Sequence, residues 1–314
     1  MAILLGAAGT GGTLIAAREV IDSVERVDEV AEVLSPPSAN VENYLLVGSD
    51  SRANVDPNDP DFGGIGDESV VSGRRSDTIM VLRNDTQTGT ASLLSIARDL
   101  WVAIPGHGEQ RINAAYSKGP EVLVQTVKEA LGIPIHHYIE IDFSGFKNLV
   151  EAVGGVELCF LYPTRDTHTG FDFPEPGCQI VDGVQALAYA RSRYFEQFID
   201  GDWRIDGSAD IGRARRQRDF VKRALQQALD EVGSNPFLVG DVLRDSGGSI
   251  RIDQDLDLME AVSSLRDAVE DIETYELPVD GATIQGNAVL ELTSDADEVL
   301  AYFRGDGPAP AAAS

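Results

Sequence analysis

The chain has 314 residues, 43% of them hydrophobic, which is long enough for one large domain or two ordinary ones and too apolar for wholesale disorder. Its 52 acidic and 25 basic side chains leave a net charge of −27, which excludes a general nucleic-acid binder because a phosphate backbone would be repelled over nearly the whole surface. Only Lys118, Lys128, Lys147 and Lys222 are lysines; the other 21 basic residues are arginines, the side chain suited to bidentate phosphate contact, although a biased genome or a salt-adapted surface gives the same composition.

Residues 2–17 are apolar or small, and Arg18 ends the run. Sixteen residues fall short of the ~20 that span a bilayer as a helix, and no basic residue precedes them as in a signal peptide. The expectation for 1–17 is the remnant of a membrane anchor, with an apolar Ala/Gly tail as the alternative. The glycine-rich stretch 6–12 lacks the lysine of a phosphate loop. Residues 18–32 are charged and are expected to continue a helix, so that 18–40 forms a juxtamembrane helix or linker broken at Ser35-Pro36-Pro37-Ser38.

Residues 43–48 (NYLLVG) read as a buried strand, 56–73 as a long Asp/Gly/Pro surface loop, and 77–82 with 91–96 as a hairpin of core strands. Helical spacing predicts a helix over 120–131 that Gly132 can cap. Strand 138–141, helix 143–153 and strand 156–160 form a βαβ candidate, with Gly154-Gly155 closing the helix. Two further helices are predicted over 183–190 and 212–232. The stretch 230–306 carries 19 acidic and 4 basic residues, yet keeps helix and strand patterns (259–269, 274–278) and is expected to pack on the same sheet. The predicted fold class is α/β, a mixed β-sheet sandwiched between helices (α/β/α). One domain covers 41–304, with a motif core at 43–232 and an acidic part at 233–304; 305–314 is a disordered tail.

Cys159 and Cys178 lack the spacing of a zinc site. In a reducing compartment they are two unrelated thiols; in an oxidising one they can close a loop worth roughly 3 kcal/mol.

Three charged groups point to chemistry. Gly48-Ser49-Asp50-Ser51-Arg52 follows a buried strand, at the kind of strand end where open α/β sheets bind ligands. Arg74-Arg75-Ser76-Asp77-Thr78 precedes a second strand, so Asp50 and Asp77 can meet at one sheet edge. Two carboxylates with open positions suit Mg²⁺; two strand-end ion pairs are the plainer account. Third, residues 191–223 hold 9 of the 25 basic side chains: Arg191, Arg193, Arg204, Arg213, Arg215, Arg216, Arg218, Lys222 and Arg223. A helix starting near Ile211 puts Arg213 and Gln217 on one face and Arg213 in the first turn, where a cation opposes the dipole unless an anion is present. Some of these arginines are expected to pair with Asp206, Asp210 and Asp219. Together the groups suggest a metal-assisted site for a phosphate-bearing substrate. The four histidines lack metal spacing, no GxSxG elbow is present, and neither cysteine has a histidine nearby in sequence.

The blocks NYLLVGSDSR (43–52), RRSDTIMVL (74–82), LLSIARDLWVAIPGHG (93–108), RINAAYSKGP (111–120), HHYIEIDFSGFKNLVEAVGGVEL (136–158), DGVQALAYARSR (182–193) and DIGRARRQRDF (210–220) resemble, in order and spacing, the LytR–CpsA–Psr family, its actinobacterial branch most of all. The resemblance implies a membrane-anchored enzyme, single-pass, with its domain outside the cytoplasmic membrane. Such enzymes transfer a glycopolymer (teichoic acid, capsule or arabinogalactan) from a polyprenyl-pyrophosphate carrier to peptidoglycan through a phosphodiester link. It implies Asp50 and Asp77 as ligands of Mg²⁺ (Mn²⁺ possible), and Asp50, Asp77 and Arg98 as catalytic. Arg52, Arg75, Arg98, Arg191, Arg193, Arg213 and Gln217 would bind the pyrophosphate, and apolar side chains of the helices over 120–150 would shelter the lipid. It also implies oxidising surroundings, hence a Cys159–Cys178 disulfide, and membrane lipid and peptidoglycan as partners. The chain departs from the family in having Ala97 rather than proline before Arg98, and in its short amino end. A polyprenyl-pyrophosphate pyrophosphatase and a non-catalytic binder of lipid-linked glycans are the alternatives. The family's older name as transcriptional attenuators has little support in a −27 chain without a helix-turn-helix pattern.

Overall fold

The computed structural model describes residues 24–38, 40–50, 76–207, 209–234, 248–266, 268 and 272–311; for 77, 209–211 and 232–234 it describes the backbone alone. The apolar runs that open the domain become strands buried on both faces, as interior strands of an α/β sheet must be. In chain order these are β1 (Glu25–Arg26), a 3-10 turn (Asp28–Val30), β2 (Val41–Ser49), β3 (Ser76–Asp85) and β4 (Thr90–Ile96). The hairpin β5 (Trp101–Ile104) and β6 (Gly108–Arg111) follows, then α1 (Asn113–Tyr116), α2 (Pro120–Ala130), β7 (His137–Ile141), α3 (Phe143–Ala152) and β8 (Val156–Phe160). Next come β9 (Thr164–Asp166), β10 (Phe171–Phe173), β11 (Gly177–Val181), α4 (Gly183–Arg191), β12 (Glu196–Ile199), β13 (Asp202–Ile205) and the long α5 (Ala209–Ser234). The carboxyl part holds β14 (Ile250–Ile252), α6 (Leu258–Arg266), β15 (Glu273–Glu276), β16 (Val279–Ile284), β17 (Asn287–Leu292) and α7 (Ala296–Arg304).

Seven strands form the central sheet in the order β1-β14-β7-β2-β3-β4-β15. It is mixed: β2 runs parallel to β7 and β4 to β15, whereas β2, β3 and β4 are a meander of antiparallel pairs. The predicted 77–82/91–96 hairpin is β3–β4. Side-chain alternation divides the sheet's two faces. Leu45, Val47, Val81 and Tyr138 pack against α2 and α7 through Leu123, Val127 and Phe303. Tyr44, Met80, Leu82 and Leu93 face the opposite way, toward Leu229 of α5 and Ala261 and Leu265 of α6. This is the expected α/β/α sandwich, and the acidic carboxyl part does join it, through β14 and β15.

Local sequence sets the helix ends. Pro120 opens α2, where its missing N–H costs nothing, and Gly132 follows it at φ +74°. Asp142 and Asp182 cap α3 and α4, each side chain accepting a backbone N–H three residues on, at 2.9 Å. A Cβ on Gly183 would lie 2.5 Å from the Lys147 carbonyl oxygen, so glycine there lets α4 touch α3.

Three expectations fail. Within 18–32 the described residues form β1 and a 3-10 turn rather than a helix; Val27 and Val30 are buried in the core, and β1 finds a strand partner in β14. The strands at 138–141 and 156–160 do not share a sheet, so there is no βαβ unit. Gly154 and Gly155, at φ +77° and +91°, turn the chain away from the central sheet, and β8 pairs antiparallel with β11 instead. In that register Cys159 faces Cys178, and the two are bonded. The stretch 305–311, expected to be disordered, runs along the fold to Pro310, whose carbonyl accepts from the Tyr275 hydroxyl at 3.4 Å. Beside β8 and β11, the sheet β10-β9-β12-β13 makes a small lobe around Phe160, Phe171, Phe173, Tyr189 and Phe195.

Candidate active site

Between the sheet and the helices α3, α5 and α6 lies a cavity of about 700 Å³. Its floor is the sheet face carrying Leu46, Met80, Leu82, Ile139, Ile141 and Ile250. Its walls are Phe143, Phe146 and Leu149 of α3, Val221, Ala224, Leu225 and Ala228 of α5, and Val262 of α6. The apolar shelter was expected from the helices over 120–150. Of these only α3 supplies it; α2 packs on the other face of the sheet, and α5 and α6, with Leu187 and Ala190 of α4, provide the remaining wall. The i, i+4 recurrence of Val221, Leu225 and Leu229 beside Ala224 and Ala228 was the sequence signal for that wall.

Polar side chains collect at the other end of the same cavity. Asp50, Arg98, Arg191, Arg193, Arg213 and Gln217 all line it, with Ser49, Asp142 and Thr169. Asp50 follows the last residue of β2, and Arg98 lies two residues past β4. Arg191 ends α4 with its guanidinium carbon 4.9 Å from the centre of the Phe143 ring. Arg213 and Gln217 project from one face of α5, four residues apart as expected, and both are deeply buried, Arg213 at 4% exposure. Arg191 is half-buried and Arg193 exposed, so the basic groups descend from surface to interior.

Asp77 is the bulge of β3: Gly48 faces Thr78 and Ser49 faces Ser76, so the backbone at 77 sits beside the residues that precede Asp50. The two aspartate positions do reach one sheet edge, although the Asp77 side chain lies outside the description. Arg52 and Arg75 lie outside the described residues, as does the 1–17 segment. Among the described residues no helix is long and apolar enough to cross a membrane.

The helix α5 begins two residues before the expected start, so Arg213 stands in its second turn, and the dipole argument for an anion there weakens. What positions the arginines is a set of long-range bonds. Gln217 donates to the Ala190 carbonyl at 3.0 Å, and Arg216 donates to the Ser192 carbonyl at 2.8 Å and to Asp206 at 3.0 Å. Asp166, fully buried, accepts from the Ser192 hydroxyl at 2.6 Å and from the N–H groups of Arg193 at 3.1 Å and Tyr194 at 2.9 Å. Burial works to raise the Asp166 pKa, but the Ser192 hydroxyl and the backbone N–H groups outweigh it and hold the carboxyl below its usual range. The segment 190–194 is thus tied by five hydrogen bonds, which fixes the stems of Arg191 and Arg193. Sequence reading missed Asp166 and assigned Arg216 no particular role.

Four more of the basic run form ion pairs within the fold. Arg215 and Arg218 both reach Glu276, at 3.4 and 3.0 Å. Arg223 pairs with Asp219 one turn back, and Arg204 with Asp200. The expected pairings with Asp206 and Asp219 are present; that with Asp210 falls on a side chain outside the description.

Residues 13–302 match the model of the LytR_cpsA_psr family. The "Probable cell wall biosynthesis protein LcpB" of Corynebacterium glutamicum is 40% identical over 213 residues, 67% of this chain and 48% of that protein, so the chain spans about half the length of this relative. The polyisoprenyl-teichoic acid–peptidoglycan teichoic acid transferase TagU of Oceanobacillus iheyensis is 32% identical over 254 residues, 78% of this chain and 69% of that one. Among solved structures, the LytR-Csp2A-Psr enzyme from Actinomyces oris superposes with a TM-score of 0.65 at 23% identity, over 89% of this chain and 95% of the other, a likeness of fold. The chain belongs to the LytR_cpsA_psr family.

Proposed function

We propose that the chain is an extracytoplasmic phosphotransferase that moves a glycopolymer from a polyprenyl-pyrophosphate carrier to peptidoglycan. One observation carries this reading: a single cavity is aliphatic and aromatic inside and holds Asp50 with Arg98, Arg191, Arg193 and Arg213 at its polar end. That is the chemistry of an amphiphile with a prenyl tail and a multiply charged head. The names of LcpB and TagU fit the same reading.

The prenyl chain fills the apolar end, and Arg213 and Gln217 meet the diphosphate where it leaves the tunnel. Arg98 and Arg191 flank it, and Arg193 covers its exposed side. Guanidinium groups in a poorly hydrated pocket stabilise charge that builds on the transferring phosphoryl. A muramic acid hydroxyl of peptidoglycan attacks the sugar-bearing phosphorus. A new P–O bond forms, the bond to the bridging oxygen breaks, and polyprenyl phosphate leaves with the electron pair. The Asp50 carboxylate takes the hydroxyl proton.

The donor set fits a hard divalent cation: Asp50 lies at the cavity mouth, the Asp77 position sits at the adjoining bulge, and phosphate oxygens would complete the shell. Asp50 and Asp77 would hold Mg²⁺, with Mn²⁺ able to replace it. When bound, the ion would neutralise charge on the diphosphate.

The test is transfer in vitro, from a lipid-linked diphosphate glycan to peptidoglycan fragments, with polyprenyl phosphate and the new phosphodiester measured. Activity is expected to disappear with a chelator, return with Mg²⁺, and fall sharply in Asp50→Asn. Normal transfer by both Arg98→Ala and Arg213→Ala would refute the assignment. Polyprenyl phosphate and glycan phosphate released by water without any acceptor would mean a pyrophosphatase, and binding without turnover a carrier of lipid-linked glycans.

A further inference from the structure

The cavity rim carries a feature that the diphosphate site does not use. Tyr194 is 52% exposed and stacks on His168, ring centres 4.2 Å apart and planes 29° from parallel. An exposed aromatic pair usually moves freely, but this one is built in. The Asp166 carboxylate, itself fully buried, accepts from the backbone N–H of His168 at 2.8 Å and of Tyr194 at 2.9 Å, so both rings stand on one anchor. Each is also next in sequence to a residue of the cavity wall, Thr169 and Arg193 respectively.

We propose that Tyr194 and His168 form a stacking platform for a hexopyranose ring at the mouth of the site. This rests on the lipid-diphosphate reading. The donor is linear: lipid, diphosphate, sugar. With the prenyl chain inside the tunnel and the diphosphate on the arginines, the first sugar has to emerge at the rim, past Arg193. The hydrogen-bearing face of a pyranose is weakly positive and packs on the negative face of an aromatic ring. A platform already held by Asp166 loses little freedom on binding. The same chemistry suits a sugar of the acceptor, and the experiment separates the two sources.

Binding to the purified protein is measured for a prenyl diphosphate carrying one N-acetylhexosamine, for the same prenyl diphosphate without sugar, and for a soluble peptidoglycan disaccharide. Tyr194→Ala is expected to weaken the sugar-bearing diphosphate about fivefold, leave the sugar-free one unchanged, and leave the melting temperature unmoved. Tyr194→Phe should behave as wild type, and His168→Ala should show a smaller loss in the same direction. Loss confined to the disaccharide supports the platform and assigns its sugar to the acceptor. Unchanged binding of both sugar ligands in Tyr194→Ala, with the sugar-free diphosphate still bound, overturns the platform and leaves the transferase reading standing. A wild-type protein that binds neither diphosphate overturns that reading, and the platform with it.

Discussion

If the apolar end of the cavity holds a prenyl tail, affinity must depend on tail length and then stop depending on it. A heavy-atom group of water's size occupies ~30 Å³, so the 700 Å³ cavity admits roughly two dozen such groups, about four or five prenyl units of five carbons. At about 0.3 kcal/mol per heavy atom, the yield of a drug-sized ligand, each enclosed unit adds about 1.5 kcal/mol, close to tenfold in affinity. Titration of prenyl diphosphates from two to ten units, followed by calorimetry or displacement of a fluorescent analogue, should show affinity rising steeply over the first four or five units and flattening beyond. The plateau can be moved. Ala228 lines the cavity wall on α5, and Ala228→Phe adds six carbons there, about 180 Å³ on the same measure, a quarter of the cavity. The variant should level off about one unit earlier. Equal affinity for the two-unit and five-unit diphosphates would refute the tunnel. So would an Ala228→Phe curve superposing on the wild-type one in a variant shown to be folded.

Two further substitutions separate the roles of neighbouring arginines and test a buried histidine. Arg216→Ala removes a part-buried ion pair, a buried bond to the Ser192 carbonyl and a contact with the Phe195 ring, so it should cost about 2 kcal/mol in denaturant melts and loosen the diphosphate site too. Arg213→Ala, one turn away on the cavity side, should lose about 2 kcal/mol of diphosphate affinity, with a smaller thermal loss than Arg216→Ala. Equal thermal losses in the two variants would contradict this division. His137 lies between Asp253 at 3.3 Å and Glu42 at 3.8 Å and stacks on Tyr44. Burial works to lower its pKa, but the two carboxylates win and raise it to about 9. A group whose pKa is higher folded than unfolded stabilises most below the unfolded value, near 6.5, and that contribution vanishes as the pH passes about 9. Wild type should therefore exceed His137→Gln by about 2 kcal/mol more at pH 6 than at pH 9.5, after discounting for solvent screening. A pH-independent gap would show that the imidazolium is not formed.

Much of the fold was legible because it depends on local pattern. The apolar runs at 43–48, 77–82 and 91–96 fall inside β2, β3 and β4, and Pro120 and Gly132 mark the ends of α2 by their own chemistry. The βαβ reading failed because it took adjacent strands to be partners, whereas Gly154-Gly155 redirects the chain and β11, whose Cys178 lies 19 residues beyond Cys159, supplies the partner. The short β1 was hidden for a similar reason: two charged residues form a strand only because β14, more than 200 residues away, offers a free edge.

The site divides along the same line. Residue types, their order and the excess of arginine over lysine pointed to a phosphate-bearing ligand, because guanidinium and carboxylate chemistry belongs to the side chains themselves. They did not separate Arg213 from Arg215, Arg216 and Arg218, four cations within six positions of one helix. Helical rotation points the first into the cavity, while Glu276 and Asp206 take the others. Nor did they mark Asp166, whose value lies in three backbone N–H groups and a hydroxyl that folding brings to it. The sequence by itself determined which elements form and which class of ligand the chain can grip. Only the tertiary structure decided which arginines line the cavity, because helix rotation and distance in space are set by packing, and Arg215 finds its carboxylate partner 61 residues further along the chain.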